Sequence, residues 1–130
     1  MSGNARSIGG GNVYLVAVRD FVVSQDLADT VRDFDPGATI LTARNCREAL
    51  TAIRSGDPLA LAFVEAGPDR VARARLDIAI RDRGGRLVLL GDDAEDAWEI
   101  GSRAGRVWPV LMRPFSSQVV TTLLMASRRG

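Results

Sequence analysis

The residue pattern predicts an α/β domain, with a doubly wound five-stranded parallel sheet of order 2-1-3-4-5 and helices on both faces. Short apolar runs of strand length alternate with amphipathic stretches of helix length. The runs are apolar at successive positions, as in strands covered on both faces. At 130 residues, the chain can build one core and is short for two. Right-handed crossovers leave few topologies for such a repeat, and 2-1-3-4-5 is one of the two common solutions.

The elements follow in order. Val13 to Val18 is a β-branched run that reads as a buried first strand. Phe21 to Phe34 carries Val22, Val23, Leu27, Val31 and Phe34 at helical spacing and is stopped by Asp35-Pro36-Gly37. Ala38 to Thr42 is a second strand. Asn45 is placed to cap the second helix, with Glu48 three residues on as in a capping box. That helix runs to Ser55-Gly56-Asp57-Pro58. Leu59 to Val64 is the most apolar run and the expected central strand. Asp69 is expected to cap a third helix, with Val71, Leu76, Ile78 and Ile80 on one side, broken by Gly84-Gly85. Arg86 to Leu90 is the fourth strand and Ala94 to Ser102 a short acidic helix. Val107 to Met112 is the fifth strand, and Pro109 places it at an edge, where a missing N–H costs nothing. Ser116 caps the last helix, which carries Val119, Val120, Leu123 and Leu124. Residues 1–11 are expected to be a flexible tail and residues 12–127 the domain.

Composition excludes several functions. There is no histidine, which removes the usual general base and the commonest zinc ligand. Seventeen basic and sixteen acidic side chains argue against a nucleic-acid surface built on bulk charge. The lone Cys46 forbids an internal disulfide and fits a reducing cytoplasm. The Gly/Ser/Asn-rich head has no apolar signal region, and no apolar run of about 18 residues is present, so no membrane span is expected. Gly9-Gly10-Gly11 precedes the first strand, so it is not a phosphate loop of the strand–loop–helix kind.

In open α/β sheets ligands gather at the carboxyl ends of the strands. Arg19 and Asp20 follow strand one, Glu65 ends strand three, Gly91-Asp92-Asp93 follow strand four, and Arg113-Pro114-Phe115 follow strand five. Five units of this length ending in Met-Arg-Pro-Phe resemble the receiver domains of bacterial two-component response regulators, which have the flavodoxin-like fold. The resemblance covers roughly residues 12 to 127. Asp26 to Thr30 and Asn45 to Leu50 also resemble common receiver wording. It implies a role in signal transduction or a phosphorelay, with a histidine kinase, an effector or a second copy of the chain as partner.

The departures from that family bear on function. Its acidic pair after strand one holds magnesium, and here it falls near Val18 and Arg19, or at Arg19 and Asp20. Its phospho-acceptor aspartate corresponds to Glu65, its strand-four hydroxyl to Gly91 and its lysine to Arg113. Its switch aromatic corresponds to Val110. Phosphoryl transfer depends on placing charge, through a divalent metal and a cation. A cation near the metal position adds repulsion of about 4 kcal/mol per unit charge at about 4 Å, with an effective dielectric near 20. Glu65 is also one methylene longer than aspartate, which displaces the nucleophile. The expectation is a pseudo-receiver, not an enzyme, with no cofactor and no bound metal. A Glu65–Arg113 ion pair fixing one state is expected over two merely solvated side chains.

Other features have two readings each. Asp92 and Asp93 read as helix-start charge before metal ligands. Cys46 reads as structural before reactive. Trp98 and Trp108 divide between interface anchors and core packing, with Val110 and Val119 on the same expected surface. Arg70, Arg73, Arg75, Arg81, Arg83 and Arg86 read as a solvated face before an acidic partner's footprint. Three functions stay open: a protein-binding pseudo-receiver, an active acceptor using Asp20 and Glu65 with a metal, and a pocket for a small anion between Arg19 and Arg113.

Overall fold

The computed structural model describes residues 12–53, 57–101 and 108–128. The elements run β1 (Val13–Ala17), α1 (Phe21–Phe34), β2 (Thr39–Ala43), α2 (Cys46–Ala52), β3 (Leu61–Glu65), α3 (Pro68–Ala74), α4 (Leu76–Asp82), β4 (Arg86–Leu90), α5 (Asp92–Gly101), β5 (Val110–Leu111) and α6 (Ser117–Arg128). The sheet is parallel throughout, in the order β2-β1-β3-β4-β5. The predicted fold class is the observed one. The expected tail, residues 1–11, lies outside the described residues, as do Ser55, Gly56, Ser102 and Val107.

The period-two alternation of strand side chains divides the core between two faces. Leu15, Ala17, Ala62, Val64, Leu87 and Leu89 meet Ala49, Val71, Leu76, Ile80 and Ala94 from the helices α2 to α5. Tyr14, Val16, Leu61, Phe63, Val88 and Leu90 meet Leu27 and Val31 of α1 and Val120 and Leu124 of α6. Both faces of β1, β3 and β4 are therefore dry, which explains why their sequences are apolar without alternation.

Four expectations need correction. The single third helix is two, because Arg75 takes a left-handed conformation (φ 60°) between α3 and α4. Its apolar spacing continues through the break, so periodicity does not reveal it. Asp69 does not cap α3: Gly67 holds the cap position, Pro68 opens the helix and Asp69 adds charge to the first turn. The central strand begins at Leu61, and the fifth keeps sheet pairing only at Val110 and Leu111. Pro109 does lie on the edge, and its carbonyl accepts from the Leu89 N–H at 2.9 Å.

Candidate functional site

The carboxyl edge is built from loops held at both ends. At the end of β1, the Val18 N–H donates to the Ala43 carbonyl at 3.0 Å, which ties the β1 exit to β2. Arg19 and Asp20 follow, both exposed. The Asp20 carboxylate accepts from the N–H groups of Val22 (2.8 Å) and Val23 (3.2 Å), so it caps α1. Asp20 is expected at this edge as a possible metal acid and not as a cap; its position just before an apolar helix is the signal for the cap. Beside it, Asn45 caps α2 through the Glu48 N–H at 2.9 Å, and Glu48 reaches back to the Arg44 N–H at 2.9 Å.

Glu65 ends β3. Its Oε1 accepts from the Arg19 N–H at 2.8 Å. Gly91 lies on its other side with φ 99°, and a Cβ added there would stand 2.9 Å from Glu65 Cγ. Arg19, Glu65 and Gly91 thus converge, lining a cavity of about 160 Å³ with Arg70, Asp92 and Asp93. Asp20 and Arg113 do not line it.

The expected Glu65–Arg113 ion pair is not formed. Arg113 is bound instead by the first turn of α5, which starts directly after β4 and faces the end of β5. Its Nε donates to Glu95 Oε2 at 3.0 Å, and its backbone N–H reaches the same oxygen at 3.1 Å. Its Nη2 also contacts Asp92. Two carboxylates three residues apart on one helix face take the guanidinium fork. That i,i+3 spacing was the available signal for this site. Arg113 holds the Glu95 carboxyl below its ordinary range, chiefly through the side-chain hydrogen bond. The two carboxylates in turn push the Arg113 guanidinium up. The expected anion pocket between Arg19 and Arg113 is displaced for the same reason.

Asp92 and Asp93 supply first-turn charge to α5. Among the described residues, no three Asp, Glu or Cys side chains form a group that could hold a metal ion. The residues do not fit the magnesium that the receiver family carries at this edge, since Asp20 is turned into α1 and Glu65 toward the Arg19 N–H. Cys46 is buried in the core, and its burial pushes the thiol up, with Arg70 pulling weakly the other way. Trp108 and Val110 are half-buried against the α2–α5 core layer. Trp98 is 42% and Val119 48% exposed.

The fold is that of response-regulator receiver domains. Among solved structures, the chemotaxis response regulator CheY4 of Vibrio cholerae aligns with a TM-score of 0.65 at 18% identity, over 90% of this chain and 98% of that one. A sensor protein from Polaromonas sp. JS666 aligns with a TM-score of 0.65 at 20% identity, over 89% and 94%. A protein described as adenylate cyclase from Rhodopirellula baltica aligns with a TM-score of 0.68 at 17% identity, over 92% and 88%. No family model and no curated protein sequence matches the chain. Among the described residues, no helix is long and apolar enough to cross a membrane.

Proposed function

We propose that this chain is a receiver that is not phosphorylated by the aspartyl route and signals by binding a protein, without catalysis. The observation that carries this reading is the packing of Glu65. Its carboxylate is tied to the Arg19 N–H at 2.8 Å, and its Cγ fills the space beside Gly91 where the family places a hydroxyl. A phosphoryl acceptor needs a metal beside its carboxylate and a donor on the strand-four side, and Glu65 has only its Oε2 left unbonded. Here the metal position has Arg19, and the donor position has no side chain.

The partner-facing surface in this reading is the α5–β5–α6 side, where Trp98, Ile100, Met112 and Val119 are exposed. A kinase, an effector or a second copy in the cytoplasm is the class of partner. The reading is tested by titrating magnesium with beryllofluoride and following tryptophan fluorescence. No saturable change is expected, and a saturable one overturns the proposal.

A further inference from the structure

On the β2 side of Glu65, a second cavity of about 320 Å³ opens at the carboxyl ends of β1, β2 and β3. It is lined by Arg19, Arg44, Asn45, Cys46, Glu65 and Arg70. Three arginines and one carboxylate share this space. Arg44 has an exposed ion pair with Glu48 at 3.7 Å. Arg19 and Arg70 make no ion pair within 4.0 Å among the described residues. Glu65 Oε1 is turned to the Arg19 backbone N–H, and Asn45 Oδ1 to the Glu48 N–H. Arg19 and Arg70 therefore line the cavity without an ion pair, and the three arginines outnumber its one carboxylate, Glu65.

Like charges held around one concavity repel, and the cost is relieved by an anion. A guanidinium fork suits a phosphate, which can take two parallel N–H donors from each arginine. The volume lies at the small end of ligand pockets, about 300–1,000 Å³. The smaller cavity across Glu65 shares Arg19 and Arg70 but adds Asp92 and Asp93 to Glu65, so an anion is favoured on the β2 side, where three arginines face one carboxylate.

We propose that this Arg19–Arg44–Arg70 cleft binds a small molecule bearing a phosphomonoester or diphosphate. The ligand's phosphate sits between Arg19 and Arg70, with Arg44 at the mouth. Glu65 weakens the site, because its carboxylate faces the same space. The proposal does not depend on the loss of phosphorylation. Phosphate binding with no covalent change leaves both readings standing, and a covalent phosphoryl group on Glu65 overturns only the earlier one.

The test is calorimetric titration of the full chain with inorganic pyrophosphate at low and moderate salt, with circular dichroism melts to show that each variant folds. Saturable one-site binding that weakens with salt is expected. Arg70→Gln and Arg19→Gln each lower the affinity by about tenfold or more, the size of one lost charge-assisted contact. Glu65→Gln raises it severalfold. Arg113→Gln, across the edge on Asp92 and Glu95, leaves it unchanged. Absence of saturable heat, an Arg70→Gln affinity equal to that of the unaltered chain, or an equal loss in Arg113→Gln overturns the proposal.

Discussion

Glu65 and Gly91 are packed so that a side chain at position 91 would run into the Glu65 side chain. A Cβ at Gly91 would stand 2.9 Å from Glu65 Cγ, and the Gly91 backbone has φ 99°, a region other residues enter only with strain. The longer acid at the end of β3 and the missing side chain at the end of β4 form one coupled change.

Restoring a hydroxyl is therefore expected to destabilise the protein. Gly91→Ser is predicted to cost about 1–3 kcal/mol from backbone strain, with a further contribution from the contact with Glu65. Glu65→Ala removes the contact and leaves the strain. The double variant should then be less destabilised than the sum of the singles, by about 0.5 kcal/mol or more. Urea denaturation of the four proteins measures this, and strict additivity would show that the two positions are uncoupled.

Asp20 is predicted to act on stability through α1. Asp20→Ala should cost about 1 kcal/mol, and Asp20→Ser or Asp20→Asn should recover most of it, because each can accept the Val22 and Val23 N–H bonds. Thermal melts with and without magnesium check this. A melt raised by magnesium in the unaltered chain, and not in Asp20→Ser, would indicate a ligand role instead.

The α5–β5 clasp carries a pH dependence. Arg113 holds the Glu95 carboxyl below its ordinary value in the folded state. The stabilisation is present above the unfolded carboxyl pKa of about 4.3 and is lost as the pH falls through the depressed folded value. Glu95→Gln should flatten this acid limb of the stability curve. Arg113→Ala should flatten it too, and both changes together should add little. Denaturation midpoints measured across the acid range provide the readout, and an unchanged acid limb in Glu95→Gln would contradict the clasp.

The exposed apolar side chains of α5, β5 and α6 are expected to serve contact with a partner and to add little to the core. Trp98→Ala and Val119→Ser should leave the melting temperature nearly unchanged, since both side chains are about half exposed. They should weaken any self-association seen by sedimentation. A large loss of stability in either would place that side chain in the core.

The sheet was legible because its signal is local. β4 has its expected bounds, Arg86–Leu90, and Pro109 marked the edge strand through its missing donor. Asn45 and Ser116 were legible as caps for the same reason: each bonds an N–H three residues on, at 2.9 and 3.3 Å. The break at Arg75 was not legible, because a left-handed arginine has no sequence mark and the apolar spacing runs on through Leu76 and Ile80. The partners at the carboxyl edge were only half legible. Sequence order places Arg19, Glu65, Gly91 and Arg113 at one edge of the sheet. It does not say that α5 turns Glu95 toward Arg113, or that β2 and α3 bring Arg44 and Arg70 to the Arg19 side. Those choices depend on strand register and helix start, which only the assembled fold sets.

Whether Glu65 accepts a phosphoryl group is read from intact-protein mass measured after incubation with acetyl phosphate and magnesium. The mass of the unaltered chain should stay unchanged. A mass gain of one phosphoryl group that disappears in Glu65→Gln would contradict the proposed loss of phosphorylation.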